Sequence, residues 1–166
     1  THALAGGNLE AVVAGAVSAH KAGLGLNFAD LAAIDLAGRD VAYAVDAAVC
    51  PKVLVSSGIS GVTRDGIRIG AKVRVTVRVN LRRLVGGAGS ETILARVGEG
   101  TVAAIGRAEN RKYILEHPAE ISRFILNNGL DAGTAFEIVA VDVADLDVLD
   151  NVGARLTEVQ ARSDTL

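Results

Sequence analysis

An α+β fold is predicted, because helical and strand-like periodicities occupy separate stretches of the chain. Apolar residues recur at helical spacing over the N-terminal third and again after Ser90. Between these stretches, an Asp-Gly pair (Asp65-Gly66) separates two strand-like runs, and the second run alternates without a break. Segregated helices and hairpin-linked, mostly antiparallel strands are the pattern of this class.

The elements follow in order. Asn8 is a suitable N-cap for a first helix, with Leu9, Val12, Val13, Ala16 and Val17 at helical spacing and Gly23 and Gly25 beyond its end. A second helical stretch starts near Asn27 and carries Phe28, Leu31, Ile34 and Leu36. Gly38 interrupts it, Val41, Val45 and Val49 continue the pattern, and Pro51 stops it. Val53, Val55, Ile59 and Val62 then lead to the Asp-Gly turn, a strong hairpin signal. In the strand that follows, Ala71, Val73, Val75, Val77, Val79 and Leu81 face the core. Lys72, Arg74, Thr76, Arg78, Asn80 and Arg82 face water.

Gly86-Gly87-Ala88-Gly89 ends that strand in a tight turn, and Ser90 caps a helix with Ile93, Leu94, Val97 and Val102, weakened by Gly98 and Gly100. Pro118 suits the first turn of another helix, which buries Ile121, Phe124, Ile125 and Leu126 and closes at Gly129. Ala135 to Val143 is apolar on both faces and is expected to be a central strand. In the tail, Leu149, Val152, Leu156, Val159 and Leu166 fall at alternating three- and four-residue steps, with Ser163 at the remaining position. That is either the start of a coiled-coil seam or one amphipathic helix packed on the domain.

The composition narrows the function classes. The 166 residues are 50% hydrophobic, enough for one ordinary folded domain, yet only 3% aromatic, with no Trp or Met. Ala, Val, Leu and Ile must therefore fill the core. With 17 basic and 19 acidic residues the net charge is −2, so attraction of the whole molecule to nucleic acid or anionic lipid is not expected. No apolar run is long enough to span a bilayer. A first residue Thr1 and the absence of Met read as a piece of a longer protein. Cys50, alone and just before Pro51, is expected to be a buried thiol.

Few residue patterns suggest chemistry. The glycine run lacks the Lys-Ser/Thr of a phosphate loop, and Ser90-Glu91 follows it. Gly58-Ile59-Ser60-Gly61 is one residue short of a nucleophile elbow. The three histidines are scattered, and the acids Asp142, Asp145, Asp147 and Asp150 lack the glycine turn and closing Glu of a calcium loop. They read as a solvated strand-to-helix junction. No catalytic, cofactor or metal residue is assigned. The candidate surface is instead Lys72, Arg74, Arg78 and Arg82, aligned over roughly 35 Å of strand. Such charges can guard an edge strand, contact a neighbouring subunit, or meet lipid headgroups. Asp142, Asp145, Asp147 and Asp150 are the candidate acidic partners for a subunit contact. No interleaved aromatics support nucleic acid.

Several runs carry more than periodicity. Leu4-Ala5-Gly6-Gly7-Asn8, Ala32-Ala33-Ile34-Asp35-Leu36-Ala37-Gly38-Arg39-Asp40-Val41, Leu84-Val85-Gly86-Gly87-Ala88-Gly89 and Ala95-Arg96-Val97-Gly98-Glu99-Gly100 resemble the bacterial flotillin-like protein A family. So do Pro51-Lys52-Val53, Val75-Thr76-Val77-Arg78, Glu91-Thr92-Ile93, Gly129-Leu130-Asp131 and Gly133-Thr134-Ala135-Phe136-Glu137-Ile138. The resemblance implies an SPFH (band 7) domain over residues 1–148, a mostly antiparallel sheet flanked by helices. Residues 149–166 would then begin a C-terminal coiled-coil helix, with Leu149, Val152, Leu156 and Val159 as its seam. It further implies a homo-oligomeric, non-enzymatic scaffold on the cytoplasmic side of the cell membrane, attached through a segment absent from this sequence. Such a scaffold organises lipid microdomains and membrane-protein clients, with no cofactor. The alternative is an adaptor that binds lipid or protein through the basic strand face.

Overall fold

Helices α1 (Leu9–Lys21), α2 (Phe28–Leu36) and α3 (Val41–Val49) come first in the computed structural model, which describes residues 1–163, after a short 3-10 turn at Ala3–Ala5. Then follow β1 (Lys52–Val62), β2 (Ile67–Val79), α4 (Leu81–Leu84) and α5 (Ser90–Arg107). The chain continues with α6 (Arg111–Glu116), α7 (Ala119–Asn127), β3 (Phe136–Asn151) and α8 (Val152–Ser163). The strands form a three-stranded antiparallel sheet in the order β1-β2-β3. The predicted α+β class therefore holds. The chain separates into two compact units, and each strand contributes to both. One comprises Thr1–Val53, Thr76–Ile93 and Asp131–Val139; the other Leu54–Val75, Leu94–Leu130 and the chain from Ala140 onward.

In the first unit, each of the first three helices starts on a capping side chain. Asn8 accepts from the Ala11 amide, Asn27 and Asp30 form a reciprocal capping box, and Asp40 accepts from the Tyr43 amide. Gly38, at φ +74°, ends α2, so the stretch expected to run on across it is two helices. Helix α1 buries Val12, Gly15 and Ala19, while Leu9, Val13 and Val17 stay about half exposed. The stripe of larger residues is therefore not its core face. A Cβ on Gly15 would collide with Cγ1 of Val41, so α1 and α3 approach too closely for a larger side chain there. The core of this unit is completed by Leu31, Ile34, Val45, Val79, Leu81, Leu84 and Ala135. His2 is buried beside α2, with Nε2 2.9 Å from Asp35 Oδ2, and the same oxygen accepts from the Asn8 amide at 2.7 Å.

The second unit is built on the hairpin. Gly66, at φ +79°, sits in the predicted turn, where the buried Thr63 hydroxyl bonds the Asp65 carboxylate and the Ile67 carbonyl. Strand β2 keeps strict alternation, with every second residue from Ile67 to Val79 buried. Strand β1 does not. Val53 and Val55 are exposed, whereas Ile59 and Gly61 are buried, so the inward phase reverses across Gly58, at φ +73°. A left-handed glycine is the usual means of inserting one extra residue as a bulge. Beyond the bulge, β1 lies close to α5: a Cβ on Gly61 would come within 2.9 Å of the Ile105 Cβ.

Several expectations are corrected. Strand β3, expected to be central, lies at an edge, and β2 is the middle strand. The alternating strand ends at Val79, because Asn80 turns to cap α4, so Leu81 and Arg82 are helical. The glycine run consequently joins α4 to α5 and does not join a strand to a helix. Val102 and Leu126 are exposed, and Cys50 is an exposed residue ending α3, with Sγ 3.8 Å from Asp46 Oδ1. Helix α6 has only six residues, too few for periodicity to reveal it; its one sequence signal is the cap Asn110, which accepts from the Tyr113 amide.

The α1–α3 approach gives a direct test. Gly15→Val is expected to lower stability by about 2 kcal/mol, through overpacking against Val41. Adding Val41→Ala should recover part of that loss, as read from urea denaturation midpoints at unchanged slope.

Candidate interaction surface

Charged residues of β2 pair with acids of β3 within each unit. In the first unit, the end of β2 and helix α4 converge on one carboxylate, Glu137 of β3. Arg78 donates to Glu137 Oε2 through Nε (3.1 Å) and Nη2 (3.0 Å), and Asn80 Nδ2 donates to Oε1 at 2.7 Å. Arg83 Nη2 reaches Oε1 at 3.5 Å. The Asn80 side chain also accepts from the Arg82 amide, and the Asn80 amide donates to the Ala135 carbonyl. One residue therefore ends the strand, caps the next helix and holds the carboxylate. The Asn80 hydrogen bond, then those from Arg78, with the charges of Arg78 and Arg83 behind them, hold Glu137 below the usual carboxylate range against the opposing effect of burial.

Beside this cluster the backbone is tightly fitted. A Cβ at Gly87 would overlap the Arg83 carbonyl and approach the Ala135 amide nitrogen to 2.8 Å. Ala88 forms a parallel bridge to Thr134, and the glycine run thereby becomes a packed connection, with Gly86 at φ +80°. Among the described residues Arg82 makes no ion pair. It lines a hollow floored by Leu24, Leu26 and Leu81.

In the second unit, Lys72 and Arg74 are exposed on β2 and make no ion pair among the described residues. Lys72 shares a hollow with Asp145 and Asp147 of β3. Arg68 Nε lies 3.4 Å from Asp150 Oδ1, and Arg155 lies 3.4 Å from Asp150 Oδ2. The four candidate acids, expected at a strand-to-helix junction, all lie within β3. Arg68 and Arg78 are ten residues apart on β2, whereas their partners Asp150 and Glu137 are thirteen apart on β3. Strand β3 thus takes up about three more residues than β2 over the same stretch, and its burial pattern loses alternation accordingly.

The predicted basic row is therefore divided. Arg78 is tied to Glu137, Arg82 leaves the strand for α4, Lys72 stands beside acids of its own chain, and Arg74 makes no ion pair among the described residues. Sequence reasoning missed Glu137 as a site residue; its one signal was a lone carboxylate between Phe136 and Ile138 in an apolar run.

Of the tail residues, Leu149 belongs to β3 and packs on Gly70, whereas Val152, Leu156 and Val159 lie on α8. Asn151 caps α8 by accepting from the Ala154 amide, and the Gly153 amide donates to the Gly66 carbonyl of the hairpin turn. The helix buries none of its described residues, with Leu156 65% and Val159 66% exposed. Leu166 lies outside the described residues.

The Glu137 cluster sets a sign for pH dependence. Its carboxylate is depressed in the folded state, so its stabilisation is complete above the unfolded value and is lost as pH falls through the folded one. Glu137→Gln should therefore destabilise the chain at pH 7, by roughly 1–2 kcal/mol for charge-assisted hydrogen bonds. At pH 3 the gap to wild type should narrow, as read by urea unfolding at both pH values.

No described helix is long and apolar enough to cross a membrane, and no group of three or more potential metal ligands is found among the described residues. The family model described as Flotillin-like protein FloA matches residues 1–166. Flotillin-like protein FloA of Dictyoglomus turgidum is 57% identical over 163 residues, covering 98% of this chain and 50% of that protein. That of Bacteroides fragilis is 56% identical, covering 98% and 49%. That of Staphylococcus saprophyticus is 52% identical over 164 residues, covering 99% and 50%. The chain spans about half the length of these relatives. With matches from end to end and identities above one half, the chain belongs to the flotillin-like protein FloA family.

Proposed function

We propose that this chain is the self-assembling part of a membrane-associated bacterial scaffold that organises membrane microdomains and membrane-protein complexes. The observation that carries the reading, beside family membership, is helix α8. It carries an apolar stripe that no described residue covers, Leu156 and Val159 being about two-thirds exposed. A surface helix draws most of its stability from packing its apolar face on a partner. A second copy supplies one if the seam continues as a coiled coil. The Gly66–Gly153 hydrogen bond fixes where that helix departs, so assembly and the hairpin turn are linked. The reading assigns the chain no catalysis and no cofactor. Attachment on the cytoplasmic membrane face is part of the same proposal.

The adaptor alternative, with the basic strand face on anionic headgroups, is less well supported. Lys72 is flanked by Asp145 and Asp147, and Arg78 is engaged by Glu137. Headgroup attraction requires a surplus of unpaired cations close to the surface. Arg74 remains the best candidate on β2 for a contact with a neighbouring copy, because its reversal would not break an internal ion pair.

The test is light scattering after size exclusion, on a chain extended to the full length of its relatives. Leu156→Asp with Val159→Asp is expected to reduce the large species to small ones while circular dichroism stays unchanged. Unaltered assembly of that double variant would remove α8 from the interface. Arg74→Glu should weaken assembly by a smaller factor. A salt-sensitive loss of its sedimentation with anionic vesicles, with assembly intact, would favour the adaptor.

A further inference from the structure

Helices α5, α6 and α7 line an open hollow of about 340 Å³ in the second unit. Its volume lies at the lower end of the range for small-molecule sites. Ala104, Ala108, Ile114 and Phe124 supply an apolar wall, and Arg107 and Arg123 stand at its rim. The two guanidinium groups differ. Arg123 donates to Glu120 at 2.8 Å and is compensated. Arg107 makes no ion pair among the described residues, and its guanidinium lies 5.3 Å from the centroid of the Phe124 ring. Stacking on an aromatic face fixes the guanidinium plane and leaves its N–H edges available for a planar acceptor. Tyr113 and Asn127 add further donors to the lining, and Glu120 is its one carboxylate.

We propose that this hollow binds a small carboxylate carried on an apolar body, with the carboxylate on Arg107 and the body against Ile114 and Phe124. The charge balance selects the class. One uncompensated cation matches one negative charge, whereas a phosphate dianion would face Glu120 with half its charge unmatched. A neutral apolar ligand would meet the same wall but gain nothing from the Arg107 charge. This site is independent of α8 and of the assembly reading.

The test is a ¹⁵N NMR titration of the 166-residue chain with phenylacetate, phenylacetamide and acetate. Phenylacetate is expected to shift the amides of Arg107, Ile114 and Phe124 saturably, with a dissociation constant of about 1 mM or tighter. Arg107→Gln should weaken it about tenfold or more, and Arg107→Lys should recover only part, because an ammonium does not bind a carboxylate in two places. Arg107 is exposed at the end of α5, and an unchanged spectrum elsewhere confirms that the variants fold. An acetylated tripeptide ending in phenylalanine, with free or amidated terminus, separates two sources. Tighter binding of the free-acid peptide than of phenylacetate assigns the ligand to a chain end, and weaker binding assigns it to a free acid. Equal binding of phenylacetamide would overturn carboxylate recognition. Equal binding of acetate would overturn the role of the apolar wall, and no saturable shift with phenylacetate or peptide would overturn the site.

Discussion

The central strand β2 is the constraint on which the rest depends. Seven side chains at alternate positions from Ile67 to Val79 are buried, and a slip of one residue would turn all of them into water and bring Arg68, Lys72, Arg74 and Arg78 inside. Burying even one unpaired guanidinium costs more than an aliphatic side chain gains. The register of β2 is thus decided by its own composition. Its neighbours carry the irregularities: β1 reverses phase at Gly58, and β3 absorbs about three extra residues. Those adjustments place Glu137 against Arg78 and Asp150 against Arg68.

The low aromatic content has a matching consequence. A core of Ala, Val, Leu and Ile stabilises less per residue than one of large rings, so close approach has to supply the packing. Glycines provide that approach where Gly15 meets Val41 and where Gly61 meets Ile105. Helix α1 follows the same logic by turning Gly15 and Ala19 inward beside Val12. Its larger face, Leu9, Val13 and Val17, is left half exposed because those side chains would hold α1 away from α3.

How far the sequence could be read follows from these same features. Caps and breakers act locally, so Asn8, Asn27, Pro51 and the Asp65-Gly66 turn marked element ends that the structure retains. The alternation of β2 was equally plain because one strand's period needs no partner to define it. What depended on neighbours was not legible. The position of β2 inside the sheet, the inward face of α1 and the joining of Arg78, Asn80 and Arg83 on Glu137 are all tertiary facts. A period-two reading also missed the bulges, since an inserted residue looks like noise in the pattern. The candidate surface was therefore read as a row of cations whose acidic partners belong to a neighbouring subunit, whereas Lys72 stands beside Asp145 and Asp147, and Arg78 beside Glu137, of the same chain.

The sheet's edges bear on how copies of such a chain can meet. A three-stranded sheet leaves one side of β1 and one of β3 without a ladder partner among the described residues, and free edges invite strand addition. Both edges carry devices that oppose it. Gly58 breaks the line of β1, and β3 combines its extra residues with exposed Asp142, Asp145 and Asp147. A second β3 laid alongside would bring like charges within about 5 Å, across one strand spacing. Continuous sheet extension is therefore the least favourable mode of association for this chain. The apolar surface that carries no such guard lies on helices: the outer face of α1 and the stripe of α8. Of these, only α8 is a helix with no buried residue of its own, and its stability therefore depends on what covers it.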